Sequence, residues 1–207
     1  MGRGSLRTVS EEPVGRMAEV GATPLVDTQV ERPRAVATRR MDLLEPWRQR
    51  LILPFIRGRL LDLACGYNNL TRAHGSGVGV DIFPWEGIDI QIADASRLPF
   101  LDGSFDTVSI VAALNHIPNR EVALLAVRRV LRPGGLLLIT MIGPRTGRFA
   151  HTLFHQDEVR RGGMRPGERH GIGRHAMWAL LQSAGFGIHR EVPFQLGLNR
   201  LYVARKS

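Results

Sequence analysis

Cysteine is almost missing from this chain: Cys65 is the only one in 207 residues. A lone thiol forms no intrachain disulfide, which predicts a reducing, cytoplasmic setting. It also excludes any zinc site built from several cysteines. Lysine is nearly absent too, since of 28 basic residues only Lys206 is lysine. The rest are arginines, whose planar fork suits phosphate or carboxylate. Codon use in a GC-rich genome would give the same bias, so the net charge of +9 is weak support for an anionic partner. No apolar run reaches the length of a membrane span. The first forty residues lack the apolar core of a signal peptide.

What is present is 43% hydrophobic, enough for one domain with a substantial core. Residues 1–40 scatter Gly, Pro, Arg and Glu with few aliphatic clusters, a composition that does not fold alone. Their acidic residues, among them Glu11, Glu12 and Asp27, argue against a transit peptide. A disordered extension is expected there, or a start assigned upstream of a true one at Met41. Residues 41–207 form the expected domain.

From Met41 the hydrophobic pattern sharpens. Leu43, Leu44, Trp47, Leu51 and Phe55 predict a helix over 42–56. Strands are predicted at 59–64, 77–83, 88–94, 104–114 and 136–142. Helices are predicted at 69–74, 119–131, where "RPGG" stops the turn, and 175–186. Two closing strands meet near Gly197 in a hairpin. Strands alternate with helices and read as continuous apolar runs. Such runs predict an α/β, Rossmann-like doubly wound sheet, mostly parallel and covered on both faces. The closing pair adds an antiparallel strand.

Ligands of such sheets sit beyond the carboxyl ends of the strands. Here those ends carry Ala64-Cys65-Gly66, then Asp81, then Asp94-Ala95, then Asn115 and His116. Gly66 lets the backbone pass close to a ligand. Asp81, fifteen residues after Gly66, suits a ribose diol. Asp94 suits an adenine amino group, with "LPF" walling the base. A single aspartate at a strand end is commonly just solvated or capping a turn; the ordered series is the stronger signal.

The segments "LLDLACG", "GVGVDI", "ADASRLPF", "GSFDTVSIVAALNHIPN", "RRVLRPGGLLLIT" and "LLQSAGF" together resemble a class I S-adenosylmethionine-dependent methyltransferase of the small single-domain, type 11-like kind, over about residues 58–186. The resemblance implies a seven-stranded sheet with its last strand antiparallel, and S-adenosyl-L-methionine as cofactor. It places Asp62 near the methionine amine and Ala64, Cys65 and Gly66 under the cofactor. It sets Asp81 on the ribose, with Ile82 against the adenine and Asp94 and Ala95 at its edge. Ala112 and the residues after it, Leu114 included, line the methionine end. The family's glycine-rich pattern is altered here: Ala64 and Asn68 stand in the first and third glycine places. Asn68 tolerates a left-handed backbone, and with Asn69 it is a candidate cap for the next helix. Gly66 is expected at the one cramped position. A dinucleotide enzyme would need G-x-G-x-x-G for its pyrophosphate, and that is absent.

The family's cofactor supplies the reactive group, and the protein chiefly aligns and desolvates. His116 is the candidate base if an alcohol is methylated; its plainer role is packing at a helix entry. Residues 143–175 are long for a strand-to-helix connection and read as an insertion over the acceptor site. They hold His151, His155, His170 and His175, and seven arginines against Asp157, Glu158 and Glu168, a local excess of +4. Asn115, His151, His155, Arg160, Arg169 and His170 are the candidate acceptor contacts, for a small acceptor bearing phosphate, carboxylate or sugar. A solvated basic loop is the simpler alternative. His151 and His155 share a helix face suited to metal, but no third ligand is evident and no metal is expected. The runners-up are a non-catalytic partner subunit of the same fold and an RNA methyltransferase. Against the latter, "LNHI" stands where base-amino methyltransferases carry Asn/Asp-Pro-Pro-aromatic.

Overall fold

Leu60–Leu63 is buried at every position, because it is a central strand packed on both faces. It is β1 in a computed structural model that describes residues 45–148 and 164–207. The other strands are β2 (Gly77–Asp81), β3 (Ile90–Gln91), β4 (Phe105–Val111), β5 (Leu131–Ile142), β6 (Phe186–Phe194) and β7 (Asn199–Lys206). The helices are α1 (Glu45–Ile52), α2 (Asn69–His74), α3 (Arg120–Val130) and α4 (Arg174–Ser183). Residues 144–148 are also helical.

The strands form one seven-stranded sheet in the order β3-β2-β1-β4-β5-β7-β6. Strands β1 to β5 pair in parallel, while β7 runs antiparallel to both β5 and β6. The expected mixed sheet is therefore the one formed. Period-two alternation distributes side chains to two cores. Leu61, Leu63, Leu137, Ile139, Tyr202 and Ala204 join the larger core under α3 and α4. Leu60, Leu138, Leu201 and Val203 face the other way, onto Ile52 and Ile56 after α1. Leu124 of α3 is fully buried, so its truncation to alanine costs about 2–5 kcal/mol.

Chain order reverses between β1 and β4. At that point the carboxyl ends of neighbouring strands splay and leave a crevice. The site described below sits there.

Several boundaries differ from expectation. The helix expected over 42–56 is α1 followed by a 3-10 turn at Leu53–Phe55, where Pro54 cannot continue the α-helical bonding. Ile52, not Trp47, is its buried residue; Trp47 is 51% exposed. Leu43 and Leu44, like the extension over 1–40, lie outside the described residues. β3 is two residues long instead of seven. Asp89 turns inward to accept from the Gly79 N–H at 2.7 Å, and Asp94 closes a turn onto the Ser96 N–H at 2.9 Å. β5 begins at Leu131 directly after α3, and "RPGG" forms an irregularity in that strand, with Gly134 at φ +70° and the register to β4 shifting across it.

Candidate active site

A cavity of about 550 Å³ opens at the ends of β1, β2 and β4. It is bordered by Asp62, Ala64, Cys65, Gly66, Asp81, Ile82, Asp94, Ala95, Ala112 and His116, all singled out from the sequence. Glu45, Arg48 and Gln49 of α1 close it from the side, and Tyr67, Trp85, Asn119 and Arg165 complete the wall.

The turn after β1 is held by the next strand. The Gly66 N–H donates to Asp81 Oδ2 at 3.0 Å, and the Phe83 N–H to Asp81 Oδ1 at 2.9 Å. The side chain of Asp81 thus fixes both loops at the cavity floor. Gly66 has φ +54°, and a Cβ built there meets nothing within 4 Å. No protein atom crowds Gly66, and its left-handed backbone is one that glycine adopts without strain. Ala64 (φ 57°) and Ala112 (φ 53°) take the same conformation with a methyl group attached. That places two alanines at a cost of about 1–2 kcal/mol each at the cavity edge.

Asn68, also at φ 57°, makes no side-chain cap on α2. Its amide reaches across to the Gly87 carbonyl at 3.0 Å and to Asp89 Oδ2 at 2.9 Å, and its Oδ1 accepts from Thr71. It staples the loop after β1 to the loop after β2. The candidate cap is therefore corrected to a buried cross-link, which does not border the cavity. Asn69 likewise turns its amide to Glu45.

Asp62 is the electrostatic centre. It is 3% exposed, on the face of β1 opposite Leu61 and Leu63, and its register partner Ser109 on β4 donates to Oδ1 at 2.6 Å. Burial, and then the nearby carboxylates Asp81 and Glu45, push its pKa from an ordinary 3.8 up to about 7, against the pull of Ser109. A buried carboxylate in this state is a receptor for a cation. Burial, then Asp62, Asp81 and Asp89, push the Cys65 thiol well up, so it is a packing sulfur and not a nucleophile. Asp94 is held low by the Ser96 N–H and the Asn119 amide, and stays ionised at the outer wall.

Aromatic groups line one side. Trp85 is 7% exposed, with ring centroids 5.3 Å from Tyr67 and 4.5 Å from Phe83. Neither Tyr67 nor Trp85 was singled out from the sequence; an aromatic four residues past the acidic strand end is the signal that could have found Trp85.

The acceptor side is less concentrated. Leu114 is fully buried in the larger core and does not border the cavity, which corrects its assignment to the cofactor wall. The strand bends at Ala112, and the following 3-10 turn (Leu114–His116) carries Leu114 under the sheet. Asn115 is 3% exposed and also off the cavity. Arg169 and His170 follow in a segment beside it, outside the lining. His151, His155 and Arg160 lie outside the described residues. Among the described residues no group of three or more His, Cys, Asp or Glu is arranged to hold a metal. No helix among them is long and apolar enough to cross a membrane.

The strand order and the crevice at its reversal are those of the class I methyltransferase fold. The family model described as "Methyltransferase domain" matches residues 60–139. The chain is 33% identical over 103 residues to the ubiquinone/menaquinone biosynthesis C-methyltransferase UbiE of Pseudomonas savastanoi pv. phaseolicola, covering 39% of this chain and 40% of that protein. It is 32% identical over 101 residues to the protein of that name from Neisseria meningitidis, covering 39% and 41%. The matched region is thus well under half the length of those relatives. Among solved structures, a methyltransferase from Mesorhizobium loti superposes with TM-score 0.58 at 20% identity, over 78% of this chain and 97% of that one. The [4+2]-cyclase SpnF superposes with TM-score 0.61 at 17% identity, over 85% and 86%. Over residues 60–139 the chain is thus similar to S-adenosylmethionine-dependent methyltransferases, and its fold is the one those solved structures share.

Proposed function

We propose that the protein is a methyltransferase that moves the methyl group of S-adenosyl-L-methionine to a small, anionic or sugar-containing acceptor. The observation that carries this is Asp62: a carboxylate 3% exposed, with its pKa pushed up to about 7, at the inner end of a cavity that also holds Asp81 and Glu45. Dinucleotide phosphates would be repelled by that set. A cofactor carrying an ammonium and a sulfonium is attracted by it.

In this reading Asp62 meets the ammonium group, and Asp81 uses its remaining lone pairs on the ribose hydroxyls. Ile82, Asp94 and Ala95 bound the adenine, and Trp85 and Tyr67 cover the same side. Ala64, Cys65 and Gly66 form the floor, and Ala112 borders the methionine end. The cofactor, when bound, supplies an electrophilic methyl group; the chain's own residues bind, orient and exclude water.

The wall also carries positive charge, beside the ionised Asp94. Arg165 borders the cavity, and Arg120 and Arg169 stand near enough that Arg169, after burial, presses the Arg120 pKa downward. A guanidinium at Arg165 on the wall, with Arg169 on the segment beside it, favours an acceptor bearing phosphate or carboxylate. The relatives named above are C-methyltransferases; the atom methylated here is left open by the rim.

The alternative, a non-catalytic subunit of the same fold, is favoured by one observation: alanine at a left-handed position, Ala64, where the family pattern has glycine. Equilibrium dialysis with S-adenosylmethionine, followed by release of S-adenosylhomocysteine over a panel of phosphorylated, carboxylated and sugar acceptors, separates the readings. Cofactor binding with product release from an anionic acceptor supports ours. Absence of binding at millimolar cofactor refutes the enzyme reading and favours the subunit.

A further inference from the structure

The segment that returns to α4 is laid directly across the ends of β4 and β5. The Arg169 N–H donates to the Asn115 carbonyl at 2.8 Å, and the Ile172 N–H to the Ile142 carbonyl at 3.2 Å. Gly171 permits this: a Cβ there would stand 2.5 Å from the Ile142 oxygen and 2.8 Å from the Gly143 oxygen. The same path brings Glu168 beneath His116. Its side chain is 2% exposed, and Oε2 lies 3.1 Å from His116 Nδ1.

The other ring nitrogen is also engaged. Asn115 Nδ2 is 3.1 Å from His116 Nε2, and it donates to the Arg169 carbonyl at 2.9 Å. A carbonyl accepts only, so the amide nitrogen, with its two hydrogens, must face that way. Its second hydrogen then points at Nε2, which must offer a lone pair. Nδ1 consequently carries the ring proton and donates it to Glu168. Two independent contacts select one neutral tautomer, in a ring that borders the cavity.

We propose that Glu168 and Asn115 are positioning residues that hold His116 as its Nδ1–H tautomer, so that Nε2 accepts the proton of an acceptor hydroxyl. This rests on the methyltransferase reading of the cavity. A hydroxyl is the acceptor group taken here, because its proton must leave as the oxygen is methylated and a base must receive it. As the O–H bond breaks, its proton passes to Nε2 and displaces the Asn115 contact. The acceptor's freed electron pair bonds to the methyl carbon, the carbon–sulfur bond breaks, and sulfur keeps that pair. The imidazolium is stabilised by the Glu168 carboxylate until water takes the proton. The other charges on the elements around the ring are Asp94 and Arg165 at the cavity and Arg169 on the returning segment.

The test uses the full chain with ¹⁵N-labelled histidine, and His116→Asn to assign the signals. Wild type should show the Nδ1–H pattern. Glu168→Gln should keep that tautomer but lower the His116 titration midpoint by about one pH unit, since a neutral amide no longer stabilises the imidazolium. An Nε2–H pattern, or equal midpoints in the two proteins, overturns the proposal. Phenol added to the S-adenosylhomocysteine complex should move the Nε2 resonance while anisole does not; no movement with phenol overturns the hydroxyl role. Calorimetry separates this from the cofactor reading. Glu168→Gln should bind S-adenosylmethionine within about threefold of wild type, whereas failure of wild type itself to bind sinks the methyltransferase reading and with it this proposal.

Discussion

Replacing Asp62 with asparagine removes a charge that the folded chain resists and that, in the proposed function, meets the cofactor's ammonium. Between an ordinary pKa of 3.8 and the folded value of about 7, the unfolded chain has this carboxylate ionised while the folded chain holds it protonated. The folded state binds more protons, so stability falls as pH rises through this window, by about 1.4 kcal/mol per pH unit. Asparagine keeps an oxygen for the Ser109 hydroxyl, which donates at 2.6 Å in wild type, and does not titrate. From about pH 5 to 7, Asp62→Asn should therefore gain on wild type by on the order of 2–3 kcal/mol. Glu45, Asp81, Arg48 and Cys65 border the same cavity and are common to both proteins, so their titration cancels to first order. Urea denaturation at a series of pH values measures the difference. Parallel stability curves for the two proteins would refute the buried-charge reasoning. Saturating S-adenosylmethionine should flatten the wild-type slope and leave the variant's unchanged.

Four further outcomes are expected. Asp81→Ala strips the acceptor from the Gly66 and Phe83 N–H groups, 3.0 and 2.9 Å away, and should weaken cofactor binding at least about tenfold by calorimetry. Gly66→Ala should lose about 1–2 kcal/mol of stability in urea because φ is +54°, whereas Ala64→Gly, at φ 57°, should be neutral or stabilising. Trp85, 7% exposed on the cavity wall, should change its fluorescence on cofactor addition, and Trp85→Phe should abolish that change even though Trp47 and Trp178 remain. Arg165→Ala and Arg169→Ala should raise the KM of an anionic acceptor several-fold, about 1 kcal/mol each, with the cofactor Kd unchanged.

Much of this architecture could be read directly. Runs such as "LLDL" and "TVSIV" are largely apolar on both faces, so a sheet packed on both sides accommodates them, and Asp81 stands at the end of β2 where the chain leaves that core. Several residues that border the cavity, Asp81 and Gly66 among them, were legible for the same reason. What escaped was tertiary. Asn68 looks like a cap until its partners at Gly87 and Asp89 are seen across the sheet edge. Leu114 sits two residues past a left-handed Ala112, and nothing local in the sequence shows that the bend turns it into the core. Glu168 lies 52 residues from His116, in a stretch whose many arginines draw attention away from it. Residues 88–94 read as a full strand because their alternation does not reveal that Asp89 turns inward.

The central claim is that this cavity is built to receive a cation against Asp62. Calorimetric titration of the full chain with S-adenosylmethionine near pH 6, in buffers of different ionisation enthalpy, tests it most directly. The account predicts 1:1 binding that releases about one proton, as the cofactor's ammonium returns Asp62 to its charged form. Binding with no proton released, or no binding, would contradict it.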